Sequence, residues 1–269
     1  MQMLNLTYTN HYGEILEFGK DGLFINASDL HDYEWNYDVI NKKIVNFDNE
    51  LKKPKLPVFA TGENRKEIAN RLFEVIEKDV LENEPGFISI GDYYLEGYFN
   101  AKENEKYESG VIIKMLMTFI ATNRWMRKTK YEYMPEESIS EGDLDYPFDF
   151  PHDYKMHRSS KKIINDGFMP CDFEIIFYGP QETPTIIINE HLYQVYTTLN
   201  ANEYLVVNSL NKTIYKVLND GTKENVFNRR NKESYIFEQI AVGKATVTRD
   251  TDARLDITLI EQRSEPKWI

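Results

Sequence analysis

The sequence has one cysteine, no excess of positive charge and no long apolar run. Cys171 cannot form an intramolecular disulfide, which favours folding in a reducing cytoplasm. The net charge of −12 argues against a dedicated duplex binder, which needs a clustered basic face, and against adhesion to anionic membranes. The longest apolar stretch, Val111 to Ala121, is interrupted by Lys114 and Thr118, and the N-terminus carries no signal-peptide pattern. We therefore expect neither membrane association nor specific nucleic-acid binding.

Motifs for catalysis and cofactor binding are also missing. There is no GxSxG, P-loop, GxGxxG or HExxH motif, and His152 and His157 are spaced unsuitably for a shared metal. Cys171 lacks a CxxC partner and is predicted to be a buried structural thiol. We predict no catalytic residue, no cofactor and no metal site. A paired-carboxylate glycosidase stays open, because any acidic β protein offers such carboxylates.

One helix is predicted in the first half of the chain, at about residues 65–81. In "NRKEIANRLFEVIEKDVL" the apolar residues recur at helical spacing, and Asn64 with Glu67 forms a capping-box pattern. The apolar stripe consists of Ile68, Leu72, Val75, Ile76 and Val80. We expect this helix to lie on a sheet.

Strands are predicted around the helix and throughout the second half. Phe87–Asn100 and Tyr107–Trp125 are expected to be long paired strands. Eight short segments follow, from "CDFEIIFYG" through "SYIFEQI" to "ARLDITLIE", and Asn219-Asp220-Gly221 is typical of a hairpin turn. The fold class predicted is mainly β: an α+β N-terminal domain with one main helix, and a C-terminal β-sandwich or jelly roll.

Between these halves lies an acidic, proline-containing segment that includes "YPFDFPHDY", Tyr146 to Tyr154. Three interpretations compete for it: a stiff joint between domains, an aromatic binding platform, and a calcium site. The prolines fix φ and favour an extended joint. The calcium site would use Asp143, Asp145, Asp149 and Asp153, but the segment lacks the glycine that turns an EF-hand loop.

Five segments of the sequence, taken together, resemble the distal tail (Dit) family of long-tailed bacteriophages and prophages of Gram-positive hosts. They are "LTYTNHYGEILEFG", "LDYPFDFPHDY", "GFMPCDFEIIFYGPQETPTIIINEHLYQV", "LNDGTKENVFNRRN" and "ITLIEQRSEPKW", which follow one another over nearly the whole chain. The order of the segments and the "RSEPKW" terminus are the most specific elements of this likeness.

The resemblance implies a structural protein of the virion at the phage tail tip, assembled in the host cytoplasm. Such proteins form a homo-hexameric hub ring whose partners are the tail tube protein, the tail-tip or tail-associated lysin, and receptor-binding proteins. Their C-terminal domain is a galectin-like β-sandwich. DNA passes through the ring, and a carboxylate-lined lumen would repel it; a generally acidic surface explains the charge equally well.

The resemblance also sets the expected domain limits: a ring-forming domain at 1–142, a linker at 143–155 and the sandwich at 156–269, with the tail 261–269 docking elsewhere. Candidate joint or interface residues are Tyr146, Phe148, Phe150, Tyr154 and Trp268. The alternative function is a carbohydrate-binding protein that contacts the host cell wall directly. The tryptophans Trp35, Trp125 and Trp268, which would stack on sugars, lie outside the strand-rich second half proper. A galectin-like fold therefore does not imply galectin-like activity.

Overall fold

The computed structural model describes residues 6–48, 51–104, 111–135, 162–249 and 252–267. The chain divides into two compact units: unit 1 is Met1–Arg127 with Gln262–Ile269, and unit 2 is Lys128–Glu261. The predicted linker 143–155 lies outside the described residues, and the predicted domain limits stay a prediction.

Unit 1 is an antiparallel sheet with one helix packed on it. Its elements are β1 (Leu6–Thr9), β2 (Ile15–Phe18), β3 (Leu23–Ile25), β4 (Asn36–Ile40), β5 (Lys43–Asp48), β6 (Lys55–Thr61), α1 (Arg65–Glu82), β7 (Gly86–Ile90), β8 (Tyr93–Asn104), β9 (Ile112–Ala121) and β10 (Trp125–Tyr133), the last of which continues into unit 2. Strands run in the order β2-β1-β7-β8-β9-β6-β3, while β4 and β5 pair, among the described strands, only with each other. Helix α1 contacts β6, β8 and β9, and the core lies between helix and sheet.

Unit 2 is a β-sandwich. Its strands are β11 (Lys162–Asn165), β12 (Asp172–Tyr178), β13 (Gln181–Glu182), β14 (Thr185–Ile188), β15 (His191–Gln194), β16 (Thr198–Leu199), β17 (Tyr204–Asn208), β18 (Thr213–Val217), β19 (Lys223–Asn225), β20 (Gly243–Arg249) and β21 (Leu255–Arg263). One sheet has the order β19-β18-β17-β12-β21 and the other β11-β20-β14-β15. Alternate residues such as Phe173, Ile175 and Phe177 are buried, as expected for strands with one face on a core. The prediction of a mainly β fold is confirmed.

The predicted helix is confirmed at Arg65–Glu82, but two details of the prediction are wrong. Asn64 makes no side-chain capping hydrogen bond. Val80 is half exposed, and Asp79 takes the buried place beside it. A charged residue is tolerated there because hydrogen bonds from other parts of unit 1 satisfy its carboxylate.

Three strand predictions also need correction. The segment Phe87–Asn100 forms two strands, because Gly91, with φ of 56°, turns the chain between β7 and β8. The segment Tyr107–Trp125 supplies β9, whereas β10 begins only at Trp125. Ser234–Ile240 forms no strand, although Ile236, Phe237 and Ile240 are buried and explain its apolar pattern.

Candidate assembly surfaces

The five residues predicted for the joint or interface, Tyr146, Phe148, Phe150, Tyr154 and Trp268, all lie outside the described residues. Their role stays a prediction. The segment that precedes Trp268 is described: Pro266 is buried, and the Glu265 carboxylate lies 3.7 Å from His31 Nδ1 in unit 1. The C-terminal segment thus returns to unit 1.

The strands β4 and β5 form a hairpin with one wholly apolar face and one mixed face. Two residues with positive φ, Asn41 at 52° and Lys42 at 62°, make the tight turn that matches the twist of a hairpin. Cross-strand pairing places Tyr37 opposite Phe47 and Val39 opposite Ile44. A bulge at Val45 keeps both pairs on the same side of the hairpin, because it absorbs the extra residue of β5.

The apolar face of this hairpin is uncovered. Tyr37, Val39, Ile44 and Phe47 are 59%, 57%, 55% and 59% exposed, respectively. On the opposite face, the Asn46 amide donates a hydrogen bond to the Asp38 carboxylate at 3.4 Å. Burying the exposed half of each apolar side chain would contribute about 1 kcal/mol. A two-stranded hairpin is at best marginally stable in water, so this face is suited to packing against another surface.

A sequence signal for this hairpin exists. In "NYDVINKKIVNF", residues 36–39 and 45–47 alternate between polar and apolar on the two sides of the "NKK" turn, with one additional apolar residue next to the turn on each side. The hairpin was not predicted, because its turn lacks the glycine or proline that usually marks a two-residue hairpin loop.

A network of ionisable residues fixes the turn between β1 and β2 to the C-terminal end of α1. Asp79, which is 0% exposed, accepts hydrogen bonds from the Tyr8 hydroxyl, from the His11 backbone N–H at 3.0 Å and from His11 Nδ1 at 2.5 Å. The other ring nitrogen of His11 lies 3.1 Å from Glu82 Oε2. Both contacts are hydrogen bonds when the imidazole carries two protons.

The electrostatics of the network agree with this assignment. The hydrogen bond to Asp79, together with that to Glu82, raises the pKa of His11. Burial, reinforced by the Asp79 carboxylate, raises the pKa of Tyr8, so its hydroxyl stays a donor. The hydrogen bond from Tyr12 lowers the pKa of Glu82. The network therefore couples a surface turn to a buried position of the helix.

In the described part of unit 2, few side chains have the properties that catalysis or metal binding requires. Burial raises the pKa of the Cys171 thiol to about 12, which agrees with a structural thiol and not with a nucleophile. Lys212 Nζ lies over the rings of Tyr235 and Phe237, at 5.8 and 5.4 Å from their centroids. Among the described residues of the whole chain, no group of His, Cys, Asp or Glu could hold a metal ion. No helix in this part of the chain is long and apolar enough to cross a membrane.

Comparison with known proteins identifies the fold of the chain. No protein-family model and no curated protein matches the chain. Among solved structures, the Dit protein (gp 19.1) of phage SPP1 superposes with a TM-score of 0.59 at 9% identity, over 95% of this chain and 99% of that one. The chain has the fold of a phage tail hub protein. The SPP1 protein is described as a paradigm of the hub adsorption apparatus of phages that infect Gram-positive bacteria.

Chains of the phage P2 baseplate have the same fold. In the activated conformation with calcium, the TM-score is 0.57 at 15% identity, over 98% of this chain and 99% of the P2 chain. In the activated conformation with strontium, the values are 0.56, 13%, 97% and 99%. The likeness to hub and baseplate proteins thus includes both units.

Proposed function

We propose that this protein is a structural component of a phage tail: a distal tail hub that joins the tail tube to the tail-tip or baseplate proteins. The observation that carries the proposal is the hub-protein fold over almost the full length of both chains. The chain would function through contacts with other proteins. Side-chain packing and charge at these interfaces would hold the assembly together.

The hub would be a homo-hexameric ring. A ring uses one heterologous interface repeatedly, so each subunit must present two different complementary surfaces. The apolar face of the β4–β5 hairpin supports this proposal, since it is large, uncovered and located in unit 1. Unit 2 would project from the ring and anchor receptor-binding components. The segment 143–155 would join the two units, with Tyr146, Phe148, Phe150 and Tyr154 holding their orientation.

Native mass spectrometry over a concentration series, with negative-stain images of the same sample, tests the proposal. We expect a closed hexamer with a central hole. A chain that stays monomeric at every concentration and also with the tail tube protein added would contradict the hub function. A wall-polysaccharide titration of the same sample then tests the alternative, which is direct carbohydrate recognition.

A further inference from the structure

A cavity of about 630 Å³ lies at the base of the β4–β5 hairpin in unit 1. Its walls come from the two segments that flank the hairpin: Asp32, Tyr33 and Glu34 precede β4, and Leu51, Lys52 and Pro54 follow β5. Pro54 is buried, whereas Tyr33 and Leu51 are each 52% exposed. The cavity therefore presents apolar side chains that are accessible to a further segment of unit 1.

The hairpin depends on its two flanking segments for its position in unit 1, because among the described strands β4 and β5 pair only with each other. Lys52 Nζ donates a hydrogen bond to the Leu30 carbonyl at 3.2 Å, and the Trp125 indole N–H donates one to the same oxygen at 3.2 Å. The guanidinium carbon of Arg124 lies 4.8 Å from the centroid of Trp35, the residue directly before β4. A side chain that fills the cavity would add to these contacts at the base of the hairpin.

The C-terminal segment runs to the edge of this cavity. The Glu265 carboxylate lies 3.7 Å from Nδ1 of His31, which precedes the cavity residue Asp32 in the sequence. Burial lowers the pKa of Lys52 to about 8, and the nearby Glu265 carboxylate opposes this shift. Trp268 follows Glu265 by three positions, so even a fully extended chain keeps the two Cα atoms within about 11 Å of each other. Trp268 is therefore within reach of the cavity.

The cavity wall matches the chemistry of a tryptophan side chain, which combines a large apolar ring system with one N–H donor. Tyr33 and Leu51 offer apolar contacts to the ring. The Lys52 ammonium supplies a cation, which the face of an indole attracts. The Asp32 carboxylate offers an acceptor for the indole N–H. A purely apolar or a purely charged side chain would leave part of this wall without a suitable contact.

We propose that Trp268 packs its indole ring into the cavity at the base of the β4–β5 hairpin of its own chain. The C-terminal segment would then hold the two flanking segments of the hairpin together. The inference concerns the fold of a single subunit, and it goes beyond the hub function because it does not depend on the ring. It gives Trp268 a role within one subunit instead of between subunits.

A double-mutant cycle in the full-length chain tests this contact. Trp268→Ala should lower the melting temperature by about 4 °C, because it truncates a partly buried aromatic side chain. Leu51→Ala should lower it less, by about 2 °C. The double variant should lose less than the sum of the two shifts, because the effects of residues in contact are not additive. Leu81→Ala on α1 is the matched control: Leu81 is exposed and does not line the cavity, so its shift should add to that of Trp268→Ala.

Acrylamide quenching of tryptophan fluorescence gives a second measurement. The difference between the wild-type chain and Trp268→Phe isolates the emission of Trp268, because Trp35 and Trp125 are present in both proteins. We expect this emission to be protected from the quencher. Leu51→Asp places a charge in the cavity wall, so the protection of Trp268, measured against the same Trp268→Phe change, should be lost. Leu81→Asp should leave the protection unchanged.

The outcomes separate this inference from the proposed function. Non-additive melting shifts together with the loss of protection in Leu51→Asp would support the inference. Additive shifts and unchanged quenching would overturn it, while the hub function, which native mass spectrometry tests separately, would stand. A coupling that appears only as the protein concentration rises would also overturn it, because the cavity would then receive Trp268 of a second copy. Coupling at every concentration in a chain that forms no ring would support the inference while the hub function fails.

Discussion

The two units of this protein differ in how they bury and expose their apolar residues. Unit 2 encloses most of them between two sheets, and within its described part the exposed large apolar side chains lie in separate segments, as at Ile164, Tyr196 and Tyr235, except for the neighbours Phe168 and Met169. Unit 1 has an equally closed core beneath α1, yet it also displays a hairpin with one wholly apolar face. Scattered exposed residues need no explanation, whereas a contiguous exposed face indicates an interaction surface. We therefore infer that unit 1 carries the self-association.

The largest effect that follows from this comparison is expected at the hairpin. Phe47→Asp places a charge on the apolar face, and burying that charge would cost more than the lost contact alone. Oligomers should be lost at concentrations at which the wild-type chain forms them, as measured by native mass spectrometry. The melting temperature of the monomer should stay nearly unchanged, because Phe47 is 59% exposed.

Tyr196→Asp in unit 2 is the matched control. Tyr196 is an aromatic residue of similar exposure, 54%, but it is not part of a contiguous apolar face. This variant should assemble like the wild type. Equal loss of oligomers in both variants would refute the assignment of self-association to unit 1.

The second prediction contrasts the two sides of helix α1. Leu72→Ala removes a side chain that is completely buried in the core of unit 1, and it should lower the free energy of unfolding by about 2–5 kcal/mol. Leu81→Ala changes a residue that is 82% exposed and should alter it by less than about 0.5 kcal/mol. Chemical denaturation of both variants measures the difference. Similar losses would mean that Leu81 is covered within the monomer.

The sequence predicted the regular parts of both units well, because periodicity reports which side of an element is buried. The helix at Arg65–Glu82 and the buried side of β9, Met115, Met117 and Phe119, follow directly from it. The Asn219-Asp220-Gly221 turn was also predicted correctly, with Gly221 at φ of 83° between β18 and β19. The local sequence pattern was sufficient to predict these elements.

Features that depend on distant contacts could not be predicted in this way. Asp79 interrupts the apolar stripe of α1 and is buried only because Tyr8 and His11, some 70 positions earlier, supply its hydrogen bonds, with sequence separations of 71 and 68. Similarly, Ser234–Ile240 has the composition of a strand, but it is buried as an irregular segment. The groove beside α1 joins residues of α1, β8 and β9, such as Phe73, Lys102 and Met117, so no single sequence window contains it.

The third prediction concerns the His11 network, which ties the β1–β2 turn to α1 in unit 1. The pKa of His11 is raised in the folded state above its ordinary value of 6.5. Its contribution to stability is therefore fully present below about pH 6.5 and is lost as the pH rises through the folded pKa. The wild-type chain should lose more stability between about pH 6 and about pH 9 than the variant His11→Asn does.

Denaturation curves of the two proteins across this range measure the effect as a difference. Lys52, whose pKa burial lowers to about 8, titrates in the same range in both proteins and cancels in the comparison. The charged or hydroxyl groups that face His11, namely Asp79, Glu82 and Tyr8, are also unchanged. Parallel curves would show that protonation of His11 does not stabilise unit 1.

The smallest effect compares the hairpin turns of the two units. The β18–β19 turn of unit 2 has Gly221 at φ of 83°, with nothing within 4 Å of an added Cβ, whereas the β4–β5 turn of unit 1 places Asn41 and Lys42 at positive φ without glycine. Gly221→Ala should therefore cost only the backbone strain, about 1 kcal/mol in thermal or chemical denaturation. Gly221→Asn should cost less, because asparagine tolerates the left-handed region better than alanine does. If both variants lost the same stability, an interaction other than backbone strain would determine the conformation of the turn in unit 2. The contrast with the glycine-free turn of unit 1 would then have no physical basis.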